Sequence, residues 1–116
     1  MSDAAPHPIT TMPVVCRLPG MDAVAVREDL TYRAADGHPQ PLAVYRPPAP
    51  DGHGRLPAVI LVAGYPDEGM ARILGCRFMD MASTRSRARL MAASGLVAVT
   101  CTNREPAAFL GSTIPA

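Results

Sequence analysis

The nucleophiles and bases of this 116-residue sequence are few, and their order along the chain restricts the chemistry they could share. The histidines are His7, His38 and His53, all in the first half of the sequence. In one widespread hydrolytic arrangement the nucleophile stands in a Gly-x-Ser-x-Gly turn and the acid and then the histidine follow it. Ser94 is preceded by Met-Ala-Ala, and Ser112 in LGSTIP lacks the second glycine. We therefore predict no catalytic nucleophile, acid or base in this sequence.

The cysteines and histidines do not form a metal-binding or disulfide pattern. Cys16, Cys76 and Cys101 are odd in number and widely spaced, with no Cys-x-x-Cys pair. Cys101 lies within an apolar run, so we interpret it as a small buried side chain, with a nucleophile as the alternative. His38 and His53 stand beside turn glycines, and we interpret them as solvated loop residues because no third ligand is patterned with them. The sequence predicts no metal.

The segment GYPDEG has the glycine spacing that begins a phosphate-binding loop. Met-Ala follows Gly69 where such a loop requires Lys-Ser/Thr, and no Gly-x-Gly-x-x-Gly is present. Asp67 and Glu68 are adjacent, so their side chains should diverge and not act as a general acid–base pair. We predict no cofactor, and the absent glycine fingerprint argues against a nucleotide-binding protein.

Composition excludes several classes of partner. The sequence is 48% hydrophobic and 18% charged with a net charge of +1, which is typical of a single globular domain. All eleven basic residues are arginines scattered among acidic ones, so we predict no nucleic-acid binding. No basic leader and no run near the ~20 apolar residues of a membrane span is present. These features predict a cytoplasmic protein without membrane contact.

Hydrophobic patterning predicts three strands in the first 63 residues. Strands at about 25–34 and 41–46 flank Asp36-Gly37, a dipeptide that favours a hairpin turn. The run AVILVA at 58–63 is continuous and rich in β-branched residues, which is typical of a strand buried on both faces of a parallel sheet.

A helix and a further strand are predicted after this run. The 13 prolines all lie outside residues 67–105, which leaves room for a helix there. We predict that helix at 84–94, with Ser83 or Thr84 as its N-cap and Gly95 as its stop. A buried strand at 96–102 follows.

Together these segments predict a mixed α/β architecture. The strand–helix–strand unit should be a crossover between parallel strands, following an antiparallel hairpin. Residues 1–23 are rich in proline and predict a flexible N-terminal arm, and 24–116 form the α/β domain.

In this order, the segments LPAVILVAGYPDEG and RLMAASGLVAVTCTNREP resemble the N-terminal half of an α/β-hydrolase, most of all the dienelactone hydrolase-like members. The resemblance covers residues 25–108. It implies the N-terminal portion of an α/β-hydrolase sheet, truncated before the nucleophile elbow and the downstream catalytic half. The complete family hydrolyses small-molecule carboxylic esters or related acyl compounds. Because this chain lacks the elbow and the catalytic half, the chain alone should be inactive.

The resemblance also implies a role for the loop after the third strand, which in the family donates a backbone N–H to the oxyanion hole. Carried over, Gly64 lets the backbone turn closely, the Tyr65 N–H is the donor, Pro66 stiffens the loop and Asp67 holds it by side-chain hydrogen bonds. Ala63 stands where many relatives have histidine. From the residues alone, GYPDEG is equally consistent with a simple turn.

In the resembled fold, strand 96–102 lies beside strand 58–63, whose other flank pairs with the nucleophile strand. Without that strand the apolar edge 58–63 is open, and such edges drive association. The alternative function is therefore a non-catalytic interaction module that pairs through this edge, and self-association of the chain is predicted.

Overall fold

The structure is a computed structural model, and it describes residues 7–33, 37–48 and 55–103. Its strands are β1 (Ala25–Arg33), β2 (Pro39–Arg46), β3 (Ala58–Leu61) and β4 (Val97–Cys101), and its helices are α1 (Asp67–Leu74) and α2 (Ala82–Ala93). Short 3₁₀ turns occupy Pro8–Thr11, Met21–Ala23 and Phe78–Asp80. The four strands form one mixed sheet in the order β1-β2-β4-β3. The predicted mixed α/β fold is confirmed.

The first two strands form the predicted antiparallel hairpin. Their register runs from Ala25 opposite Arg46 to Arg33 opposite Pro39, with an irregularity between Arg27 and Leu30. Asp36 of the predicted turn lies outside the described residues, whereas Gly37 has a φ of 86°. A positive φ of this size suits glycine at a turn.

The crossover after β3 returns the chain to the middle of the sheet. β4 pairs in parallel with β3, where Ala58 is opposite Val97, and in antiparallel with β2, where Val44 is opposite Val99. The predicted parallel strand–helix–strand unit is confirmed, as is the position of the last strand beside β3.

Small side chains bring α2 close to the sheet. Ala88 and Ala92 of the helix and Ala98 of β4 are fully buried, and they pack with Tyr45 of β2, which is 2% exposed. Alanine adds little volume between helix and strand, so the backbones approach closely while the tyrosine ring fills the remaining space.

The predicted N-cap of α2 is wrong. The helix begins at Ala82 after Met81, and no side chain caps it. The preceding 3₁₀ turn, Phe78–Asp80, brings the chain to the helix two residues earlier than expected, and Thr84 is buried in the helix as a result. The predicted stop is confirmed, because Gly95 has a φ of 102° and its N–H donates to the Ala92 carbonyl.

The prediction that β3 is buried on both faces is also wrong for the part of the chain that the structure describes. Val59 and Leu61 pack against the core, but Ile60, which points to the other face, is 64% exposed. β3 lies at the end of the sheet, and α2 packs on one face only of its neighbours. The continuous apolar run therefore leaves one face uncovered among the described residues.

The helix α1 is a feature that the patterning did not predict. It starts directly after Pro66 with two acidic residues, Asp67 and Glu68, and ends at Gly75, whose φ is 96°. Acidic side chains at the amino end and a left-handed glycine at the carboxyl end are both favourable for a helix. The residues of GYPDEG are typical of a turn, so the sequence predicted a loop where this short helix begins.

The described part of the predicted N-terminal arm contacts both helices. The Val14 N–H donates to Ser86 Oγ at 2.8 Å, and the His7 N–H donates to the Leu74 carbonyl at 2.8 Å. Met21 is buried, and its carbonyl accepts from the Arg89 guanidinium at 3.3 Å. The division of the chain at residue 23 stays a prediction. Among the described residues, no helix has the length and apolar character to cross a membrane.

Candidate functional site

The loop at 62–66 connects β3 to α1 at one edge of the sheet. Because β3 and β4 run in parallel, their carboxyl ends lie at the same edge, and Asn103 follows β4 there. Ligands of α/β sheets bind at such edges. The structure therefore brings the predicted loop and Asn103 together.

Asp67 is the most completely bonded residue of this edge. Its side chain is buried, with the residue 5% exposed. Oδ1 accepts from the Phe78 N–H at 2.8 Å, Oδ2 accepts from the Asn103 N–H at 2.7 Å, and the Asp67 N–H donates to the Asn103 carbonyl at 2.8 Å. A carboxylate can be buried here because backbone N–H groups satisfy its charge. These acceptor bonds go to Phe78 and Asn103 and not to the residues of the loop itself, so the holding of the loop by Asp67 stays a prediction.

Asn103 completes the connection between β4 and the loop. Its Nδ2 donates to the Ala63 carbonyl at 3.2 Å and to the Tyr65 carbonyl at 3.2 Å. We call Asp67 and Asn103 the loop clamp. Its bonds connect the end of β3, the start of α1 and the end of β4.

The peptide between Gly64 and Tyr65 is not bonded in the same way. Within residues 7–33, 37–48 and 55–103, the Tyr65 N–H has no hydrogen-bond acceptor. A Cβ placed on Gly64 would meet no described atom within 4 Å, so the space beside it is open. An N–H without an internal partner, next to open space, can donate to a bound group. The part of Tyr65 as an oxyanion donor stays a prediction.

A cleft of about 200 Å³ lies on the α1 side of the loop clamp. Its walls include Asp67, Arg77, Asn103 and Gln40, whose Oε1 accepts from the Thr102 hydroxyl at 2.9 Å. Arg77 is held by Asp80 through hydrogen bonds of 2.7 and 3.2 Å. Of the four predicted loop residues, Asp67 alone lines this cleft.

Burial and negative charge raise the pKa values of two side chains near the loop. Burial, with a smaller contribution from Asp67 and then Cys76, raises the pKa of the Tyr65 phenol. Burial, again assisted by Asp67, raises the pKa of the Cys101 thiol. Cys101 is 8% exposed, as its interpretation as a small buried side chain predicts, and a thiol of raised pKa is a poor nucleophile at neutral pH.

The remaining candidate residues do not converge on this edge. Ser94 lies exposed at the end of α2, and its hydroxyl donates to the Leu90 carbonyl at 2.9 Å. His7 Nδ1 accepts from the Ile9 N–H, while His53 and Ser112 lie outside the described residues. Asp67 is buried and Glu68 is exposed, so the adjacent carboxylates diverge as predicted. The structure places no three metal-binding side chains together within its described ranges.

Asn103 is the residue of this site that the sequence reasoning missed. Its position directly after a buried strand was an available signal, because polar residues at the carboxyl ends of parallel strands often face a ligand edge. Its side chain bonds the carbonyls of Ala63 and Tyr65, which lie 40 and 38 positions earlier in the chain.

The hairpin, the parallel crossover and the edge loop define the fold of an α/β-hydrolase fragment. A solved structure similar to this chain is brefeldin A esterase, a bacterial homologue of human hormone-sensitive lipase. The match has a TM-score of 0.56 and 26% sequence identity over 84% of this chain, which spans 24% of the esterase chain. The likeness supports the α/β-hydrolase superfamily, but it does not extend to the dienelactone hydrolase-like members. No protein-family model and no curated protein matches the sequence.

Proposed function

We propose that this chain supplies the first strands and the oxyanion-hole loop of an α/β-hydrolase that cleaves small-molecule carboxylic esters. The observation that carries this proposal is the structural likeness to an esterase over 84% of the chain. The loop geometry agrees with it, since the Tyr65 N–H, which has no partner among the described residues, lies at the carboxyl edge of the parallel strands. On this proposal the loop has the role of an oxyanion-hole loop.

In the proposed reaction, a nucleophile attacks the ester carbonyl and the carbonyl oxygen becomes negatively charged. The Tyr65 N–H donates to that oxygen, and the second donor is the N–H of the residue after the nucleophile. Such donors stabilise the transition state because they are already oriented when the charge develops. The open space at Gly64 lets the substrate oxygen approach the backbone, and Pro66 limits the movement of the loop.

The finer assignment is to the dienelactone hydrolase-like members, and it is supported by the segments GYPDEG and AASGLVAVT. A cytoplasmic location remains a prediction from the sequence.

The chain alone should not hydrolyse esters. No Gly-x-Ser-x-Gly turn occurs in the sequence, and no histidine follows Ser94. We expect the purified chain to release p-nitrophenol from an activated ester at the rate of a buffer blank. We also expect no adduct with a serine-directed phosphonate in intact-mass spectra, with a complete esterase as the positive control. Stoichiometric labelling of Ser94 or Ser112 would contradict this expectation.

A second candidate function is an interaction module that pairs through the β3 edge. The observation in its favour is the position of β3 at the end of the sheet, with Ile60 64% and Val62 49% exposed. An edge strand presents unpaired N–H and C=O groups, and an apolar edge without Lys, Pro or a bulge is a template for another strand. We propose that a second copy of this chain occupies the edge.

The variant Ile60→Lys tests this candidate, because a charge at the centre of the edge opposes strand pairing. We expect the unsubstituted chain to form dimers or larger species at micromolar concentration and Ile60→Lys to be monomeric, measured by light scattering after size exclusion. Ile73→Lys is the matched control, since Ile73 is 69% exposed and belongs to α1 and not to β3. A monomeric unsubstituted chain with slow amide exchange at 58–61 would exclude pairing through β3.

A further inference from the structure

We propose that Asn103 is a positioning residue for the oxyanion-hole loop, and that it acts by fixing the two peptide groups on either side of the one that carries the Tyr65 N–H. This inference rests on the proposed function and deepens it, because it assigns the positioning of the donor to a residue that follows β4. The argument follows three consecutive peptide groups, from Ala63 to Pro66.

The first and third of these peptide groups are held by Asn103. Its Nδ2 donates to the carbonyls of Ala63 and Tyr65, each at 3.2 Å. The second peptide group, between Gly64 and Tyr65, carries the Tyr65 N–H, which has no partner among the described residues. Holding the two outer groups fixes the Cα atoms of Gly64 and Tyr65, so that the planar middle group retains only rotation about the axis joining them. Asn103 thereby removes most of the movements that would displace an N–H that it does not contact.

The backbone of Asn103 is itself held firmly. Its N–H donates to Asp67 Oδ2 at 2.7 Å, and its carbonyl accepts from the Asp67 N–H at 2.8 Å. Asp67 in turn accepts from the Phe78 N–H at 2.8 Å. The side chain of Asn103 therefore starts from a fixed backbone, which reduces the conformational entropy lost when it bonds the loop.

The chemistry of the interaction requires a side-chain amide. An NH₂ group has two N–H donors, which match two carbonyl acceptors. An aspartate of the same shape would place carboxylate oxygens against those carbonyl oxygens, and the repulsion would release both peptide groups. The pair Asn103 and Asp67 thus provides the preorganised donor that oxyanion stabilisation needs.

The test compares the backbone mobility of the loop in this chain and in Asn103→Asp, by ¹⁵N relaxation. We expect order parameters of about 0.85 for the Gly64 and Tyr65 amides in the unsubstituted chain and values below about 0.6 in the variant. Amide exchange in β2 and β4 measures any accompanying loss of global stability, which does not lower order parameters in the folded state. A residue that supported only overall stability would change exchange throughout the sheet and leave the loop order parameters unchanged.

The matched control is Gln40→Glu, which makes the same amide-to-carboxylate change in the same cleft. Gln40 Nε2 donates to the Pro39 carbonyl and not to the loop, and its Oε1 acceptor is retained in glutamate. We expect rigid Gly64 and Tyr65 amides in this control. Equal loosening in both variants would assign the effect to added negative charge near Asp67 and overturn the proposal, as would unchanged order parameters in Asn103→Asp.

A second measurement applies if Asn103→Asp does not fold. Scalar couplings across the hydrogen bonds from Asn103 Nδ2 to the Ala63 and Tyr65 carbonyls should be detectable in the unsubstituted chain, and their absence would overturn the proposal. No esterase assay enters either measurement. A failure of Asn103 to order the loop is therefore a separate result from a failure of the hydrolase assignment.

Discussion

The Asp67→Ala variant should have a free energy of unfolding lower by about 2–4 kcal/mol. The substitution leaves the partly buried N–H groups of Phe78 and Asn103 without their acceptors, which were 2.8 and 2.7 Å away. Each unsatisfied buried N–H costs about 1–3 kcal/mol, and hydrogen bonds to a charged group are at the strong end of that range. Since small domains have about 5–15 kcal/mol of stability, the loss is a large fraction of it. Urea denaturation followed by circular dichroism measures it.

The control for Asp67→Ala is Asp22→Ala, the same change in a carboxylate that is 93% exposed. Asp22 forms an ion pair of 3.1 Å with Arg17, whose side chain is also exposed. Exposed pairs of this kind contribute about 0–1 kcal/mol. If self-association disturbs the denaturation curves, both substitutions can be made in the Ile60→Lys background. Equal losses in the two variants would show that burial of Asp67 within the loop clamp is not what stabilises this edge.

The Tyr65→Pro variant should lose about 10²–10³ in turnover in a protein completed with a catalytic half, because proline removes the donor N–H. Tyr65→Phe should retain nearly all activity. Burial raises the pKa of the Tyr65 phenol, so it is uncharged at neutral pH and phenylalanine changes no charge. Turnover of an activated ester, with amide exchange at 97–101 as a check on folding, separates the two variants. Similar losses in both would indicate that the hydroxyl or the packing of the ring matters, and not the N–H.

The elements that the sequence predicted best are those whose signals are local. The hairpin of β1 and β2 follows from two strand patterns around a turn dipeptide, and the parallel β3–β4 pair follows from two apolar runs separated by a helix. The errors arose where one local signal competed with another. Ser83 and Thr84 are good N-cap residues, but the 3₁₀ turn at Phe78–Asp80 brings the chain into α2 earlier.

The loop clamp shows why the candidate site was only half predictable. Gly64, Tyr65, Pro66 and Asp67 are adjacent in sequence, so a single resemblance covered all of them. Asn103 reaches the loop only because β4 lies beside β3 in the folded sheet. A hydrogen bond between residues 36 positions apart, such as the one from the Asn103 N–H to Asp67, depends on that arrangement and leaves no local pattern. Burial of β3 was overestimated for a similar reason, since it depends on what covers the second face.

The sheet order β1-β2-β4-β3 has a consequence for how the chain folds during synthesis. β1 and β2 can pair as soon as both leave the ribosome, because their connection is short. β3 appears next but has no neighbour in the sheet until α1, α2 and β4 have been made. At about 5–20 residues per second, the apolar segment Ala58–Leu61 waits for a few seconds without a partner strand. The risk that this segment aggregates is therefore greatest while the chain is still on the ribosome. A chaperone that binds extended apolar segments has the time to bind it there.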